Sequence, residues 1–145
     1  MSIAELAEAV ERLTTWSRRQ TPMVVSSTTI TTLDTLQRSG PMRISDLARR
    51  EGVSQPGMTS LVNRLEAAGR AERVTDRTDG RATLVRITDA GRRVLAQRRA
   101  ARTEVLQDRL RELSPQHRAA LLAAAPAIAA LTQTETTART PVPTH

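Results

Sequence analysis

Between Ile44 and Gly69 two short amphipathic segments meet at a single glycine, an arrangement that few folds accommodate. Ser45 is read as the N-cap of the first helix, its hydroxyl accepting from an unpaired backbone N–H of the first turn. Leu47 and Ala48 supply that helix's apolar side. Gly52 ends it, because glycine takes the left-handed backbone that a tight helix exit needs. Ser54 then caps a second helix, with Pro56 in its first turn, where a missing N–H costs little. Met58, Leu61, Val62 and Leu65 recur at helical spacing for one buried face. Gln55, Gly57, Thr59, Ser60, Asn63 and Arg64 occupy the other face. Small Ala48 lets the helices approach, and Met58 and Leu61 pack the second on the first. The combination is that of a helix-turn-helix.

Gly69 closes the second helix, and Ala71–Thr75 and Ala82–Ile87 read as two strands. The turn-forming segment Asp76-Arg-Thr-Asp-Gly-Arg81 joins them, with Asp79-Gly80 as its hairpin signal. Arg77 and Arg81 lie near its tip, and a thin loop presenting arginine suits the negative potential of a narrow minor groove. At this point the chain resembles the MarR family of bacterial winged-helix regulators. The resemblance rests on Ile44-Ser-Asp-Leu-Ala, Gly52-Val-Ser-Gln-Pro, Leu61-Val-Asn-Arg-Leu-Glu-Ala-Ala-Gly69, the 76–81 segment and Ile87-Thr-Asp-Ala-Gly91. These motifs occur in family order over roughly residues 3–131. The fold expected is mainly α with a small β-wing: a winged helix-turn-helix reader and a helical dimerisation region built from the N- and C-terminal helices.

Charge is concentrated on the same stretch. All 22 basic residues are arginine and the formal net charge is +7. Residues 43–102 hold 14 arginines and 7 acids, whereas the remainder holds 8 of each. An arginine-rich solvated surface would serve as an explanation by composition alone. The placement of the excess on the motif favours a phosphate-binding surface. There is no cysteine, which excludes disulfides and a thiol-based switch. His117 and His145 are too few and too far apart for a metal site. No phosphate loop, nucleophile elbow or metal motif occurs, so neither catalysis nor a cofactor is expected. No apolar run approaches the roughly 18–20 residues of a membrane span, and the N-terminus does not read as a signal peptide. A cytoplasmic protein is expected.

Outside the motif, Ile3, Leu6, Val10 and Leu13 make an amphipathic helix over 3–19 that begins after Ser2 and is broken by Gln20-Thr-Pro22. A second helix is expected from Ser27 to Ser39, although its threonines also allow a strand. Thr88 caps a long helix from Asp89 to about Leu113, and Ser114-Pro115 opens the last one. Ala119 to Leu131 is apolar enough to require burial, with Pro126 expected to kink or break it. With one aromatic residue in the chain, large core side chains are scarce and the terminal helices lack partners. A homodimer interlocking helices 3–19, 104–113 and 115–131 answers both, and the resemblance implies the same. A monomer folding these helices onto its own reader is the alternative. The domains expected are residues 1–26 with 104–131 for dimerisation, and 27–103 for the reader. Within the reader the recognition helix covers about 54–68 and the wing about 71–87. Residues 132–145 read as a disordered tail.

Double-stranded DNA is the partner this pattern implies. Ser54, Gln55, Pro56, Gly57, Thr59, Ser60 and Asn63 are expected at base edges or phosphates of a major groove. Arg64 and Arg43 are phosphate candidates, and Arg77 and Arg81 serve the minor groove. Arg73 and Asp79 are expected to brace the wing by charge pairing. The resemblance further implies a small aromatic or phenolic effector between reader and dimerisation helices, where Trp16, Met23 and Ile30 could line a pocket. Trp16 packing a dimer core is the competing reading. The function expected is a homodimeric repressor of a pseudo-palindromic operator. A non-specific architectural DNA binder and a protein-interaction module without DNA reading are the alternatives.

Overall fold

Six helices and one two-stranded sheet follow one another along the chain in a computed structural model that describes residues 1–21 and 25–133. Contacts divide the chain after Val105. The first unit opens with α1 (Ile3–Gln20), which starts on a capping box: Glu5 donates its N–H to the Ser2 hydroxyl and returns its carboxylate to the Ser2 N–H. No residue of α1 is buried, and Ile3, Leu6, Val10 and Leu13 are exposed.

Helix α2 (Ser27–Ser39) settles the helix-or-strand question, because its threonine hydroxyls find partners. Thr31 donates to the Ser27 carbonyl at 3.0 Å, and buried Thr32 donates to Glu51 Oε2 at 2.6 Å. The second bond ties α2 to α3 (Ile44–Glu51). Helix α3 begins at Ile44, so Ser45 lies inside it and is not the N-cap; Arg43 holds that position without a side-chain bond. The cause is Met42, bridged in both directions to Val85, which keeps the chain extended up to Arg43. Gly52 takes the left-handed conformation at the exit of α3, φ 64°, as expected. Ser54 caps α4 (Gln55–Ala67), accepting from the Gly57 N–H.

Strands β1 (Ala71–Thr75) and β2 (Thr83–Ile87) pair antiparallel, Ala71 against Ile87 and Thr75 against Thr83. The second strand starts at Thr83 rather than Ala82, whose N–H is taken by the Asp79 carbonyl. Gly80 has no positive φ, so the tip is not the tight glycine hairpin that Asp79-Gly80 suggests. Two aspartate-centred turns shape it instead: Asp76 accepts from the Thr78 N–H at 2.9 Å and Asp79 from the Arg81 N–H at 3.1 Å.

The core gathers Leu33 and Leu36 of α2, Leu47 of α3, and Met58, Leu61, Val62 and Leu65 of α4 against Val85 and Ile87 of β2. Leu95 of α5 (Asp89–Arg111) joins them, with Val94 packed alongside. This core fixes how α4 and the sheet are presented. Thr88 joins two parts of it: its hydroxyl donates to the Gly69 carbonyl at 2.6 Å and accepts the Gly91 N–H at 3.2 Å. Thr88→Ala is expected to cost about 1–2 kcal/mol of stability, with Thr88→Ser recovering most of it, read from denaturant midpoints.

In the second unit α5 ends at Arg111, short of the expected Leu113. Arg118 closes that end, donating to the carbonyls of Leu110, Arg111 and Leu113. Helix α6 (Pro115–Gln133) runs through Pro126 without a break and reaches two residues into the expected tail; residues 134–145 lie outside the described residues. No residue of α6 is buried, and Leu121, Leu122, Ile128 and Leu131 are exposed. The burial expected of 119–131 is thus not supplied within a single chain.

Candidate nucleic-acid interface

Helix α4 buries one side and offers the other to solvent. Gln55, Pro56, Gly57, Ser60, Asn63 and Arg64 are exposed, and Thr59 is half-buried. Gln55, Thr59 and Asn63 recur at four-residue steps and so share a stripe. The Thr59 hydroxyl donates to the Gln55 carbonyl at 2.9 Å, leaving its oxygen to act as an acceptor. Gly57 has a packing reason of its own. A Cβ there would meet Ser54 Oγ at 2.9 Å and Val53 Cγ1 at 3.2 Å, crowding the hydroxyl that caps the helix.

The wing is braced by charge, but through other pairs than expected. Arg73 on β1 does not reach Asp79; its guanidinium grips Glu66 and donates to Asn63 Oδ1 at 2.7 Å, both on α4. Asp79 instead lies 3.5 Å from Arg43, which is also 3.7 Å from Asp76. The register explains the exchange: Arg73 pairs with Val85 in mid-strand, well back from the loop, whereas the bridge at Met42 carries Arg43 towards it. Arg43, expected at a phosphate, therefore latches the wing acids to the start of α3. Asp76's carboxyl is held below the usual carboxylate range, first by the Thr78 N–H, against an opposing effect of burial, then by the Asp79 N–H and the Thr78 hydroxyl, and least by the Arg43 charge. A lowered value keeps this carboxylate charged at neutral pH, and its own pairing with Arg43 is lost in acid, as pH falls through that depressed value. Arg77 and Arg81 are exposed at the tip, and neither forms an ion pair among the described residues. Glu66 and Asp76 were not singled out from the sequence, since an acid on an exposed surface carries no signal until its arginine is placed.

A second basic feature lies among α1, α2 and α5, within the first unit. A groove of about 690 Å³ is lined by Arg18, Arg98, Arg99 and Arg102, with Asp34 the one acid, itself 2.8 Å from Arg38. The Nε atoms of Arg98 and Arg102 are buried without a hydrogen-bond partner among the described residues. Burial pushes the Arg102 guanidinium below its ordinary value, and the charges of Arg98 and Arg18 add to the shift. A neighbouring cavity of about 360 Å³ is more apolar, with Val25, Ile30, Val94 and Ala101 in its walls. Ile30 lines both spaces. Trp16 is half-buried and lines neither, and Met23 lies outside the described residues. The spacing of Arg98 and Arg102, one helical turn apart, was the available signal for this groove.

Among the described residues no cluster of His, Cys, Asp or Glu could hold a metal, and no helix is long and apolar enough to cross a membrane. The sequence model of the MarR family matches residues 25–82, which hold α2, α3, α4 and most of the wing. An uncharacterized HTH-type transcriptional regulator of Mycobacterium bovis is 35% identical over 129 residues, covering 88% of this chain and 90% of its own. Among solved structures, a transcriptional regulator of Thermotoga maritima superposes with a TM-score of 0.81 at 20% identity, covering 94% of this chain and 99% of the other. A putative transcriptional regulator protein of Pseudomonas aeruginosa reaches 31% identity with a TM-score of 0.68, covering 90% and 91%.

Proposed function

Because the chain belongs to the MarR family of transcriptional regulators, DNA-binding proteins rather than enzymes, we propose that it is a homodimeric repressor. It reads a pseudo-palindromic operator in the cytoplasm. The observation that carries this reading is the solvent-facing side of α4 standing beside a latched wing whose two tip arginines have no acidic partner among the described residues. In this reading α4 enters the major groove with Ser54, Gln55, Pro56, Gly57, Thr59, Ser60 and Asn63, and Arg64 anchors a phosphate. Arg81, and Arg77 beside it, enter the adjoining minor groove.

A second copy is supported by the exposed stripe of α1 and the exposed apolar side chains of α6. Residues 1–26 and 104–131 serve dimerisation and 27–103 serve reading. Two recognition helices then meet successive major grooves ~34–36 Å apart. The basic groove supports a small anionic effector, such as an aromatic carboxylate or a phenolate, whose charge answers the Arg18, Arg98 and Arg102 cluster. A ligand that prefers a different spacing of the readers releases the DNA.

The test is binding to the DNA upstream of the protein's own gene against a scrambled duplex across a salt series. A preference of roughly a thousandfold or more is expected for a sequence reader. Adding a panel of aromatic carboxylates should weaken the specific complex about 5–150-fold, while the matched amides do not. Equal binding to both duplexes would mark an architectural binder, and no binding at low salt a protein-interaction module.

A further inference from the structure

Among the described residues, Asn63 is the one exposed amide on α4 whose orientation is fixed by another side chain. Its Oδ1 accepts from Arg73 Nη2 at 2.7 Å, while the other terminal nitrogen of the same guanidinium is held by Glu66. Arginine donates and never accepts, so only the oxygen of the amide can face it. The Asn63 NH2 group, with its two hydrogens, is therefore the part left to meet a ligand. A second lone pair on Oδ1 remains, but an approaching N–H donor would also meet the adjacent cation. The held amide presents itself to the groove as a donor.

A free asparagine reads adenine by pairing its oxygen with N6–H and its NH2 with N7. That pairing needs both ends of the amide. Guanine offers two acceptors, O6 and N7, and suits a group that only donates. We infer that Arg73 is a specificity-determining positioning residue, which turns Asn63 from an adenine reader into a guanine reader at one base pair of each half-site. The inference rests on the operator-reading function proposed above.

The experiment is selection of operators from duplexes with randomised half-sites, using wild type, Asn63→Ala, Arg73→Met and Asn63→Asp. The base pair at which Asn63→Ala erases the preference is the one Asn63 reads. There the wild type should choose guanine over adenine by about fivefold or more. Arg73→Met frees the amide oxygen and should move the choice to adenine, a change of base identity that loss of stability alone does not produce. Asn63→Asp keeps a partner for Arg73, removes the donors, and should move the choice from guanine toward cytosine, whose N4 donates. This variant carries the test if Arg73→Met does not fold. Adenine at that position in the wild type would overturn the inference, as would retention of guanine by Asn63→Asp. So would an Asn63→Ala protein that binds more weakly with no base position altered, since Asn63 would then touch phosphate. A wild type that selects no sequence at all would take down the operator reading and this inference together.

Discussion

Gly91→Ala is expected to lower the stability of the reader by about 3 kcal/mol or more, among the largest effects of any single methyl in this chain. A Cβ at Gly91 would lie 2.2 Å from the Arg70 carbonyl oxygen and 2.7 Å from Ile87 Cγ1. The first of these is backbone and cannot rotate away. The Arg70 carbonyl also accepts the Thr88 N–H at 3.1 Å, so moving it loosens the joint between the sheet and the start of α5. For a chain of this size the loss corresponds to a fall in Tm of about 6–12 °C, measured at one fixed protein concentration because the Tm of the proposed dimer would depend on it. Gly80→Ala is the control. Nothing lies within 4 Å of its Cβ position and its φ is not positive, so its effect should stay within about 0.5 kcal/mol. A Gly91→Ala protein as stable as wild type would mean that α5 does not pack on the Arg70 carbonyl in solution.

Arg81→Ala is expected to weaken operator binding by about tenfold per copy, hence about a hundredfold for a complex that engages two wings. Arg81 is exposed, but its backbone N–H donates to Asp79, which in turn lies against Arg43. Truncating the side chain leaves that scaffold in place, so stability should change little while affinity falls. The slope of log affinity against log salt should also shrink if the guanidinium displaces counterions in the groove. Binding to the operator by titration across several salt concentrations measures both. An unchanged affinity would remove the wing tip from the interface. A loss of folding in parallel with affinity would assign Arg81 to the scaffold.

Much of this architecture is legible from spacing. Gly52 and Ser54 mark the turn and cap because a left-handed exit and an unpaired N–H each demand a particular residue type. Ser45 fails as a cap for a reason no local rule contains: Met42 is pinned to β2, more than forty residues away, and that pin decides where α3 starts. Asp79-Gly80 looks like a tight hairpin, yet aspartate side chains close the loop before glycine needs an unusual backbone. The charge partners were the least legible part. That arginines at 43, 73 and 81 belong to one module follows from the sequence; which acid each one meets depends on register and on the approach of α4 to β1.

The latched wing also bears on how quickly such a protein finds its site. A loop that is limp until it meets DNA must be ordered at the moment of contact, at about 1–2 kcal/mol of backbone entropy per residue. Here the ordering is done beforehand, by Arg43 lying against two aspartates and by those aspartates accepting the N–H groups of Thr78 and Arg81. The same grip sets two negative charges against a cation on the protein rather than leaving them to oppose phosphate. In the proposed reading, a wing built in this way would touch and leave one stretch of duplex after another without refolding, which suits a scan of long DNA for one short target.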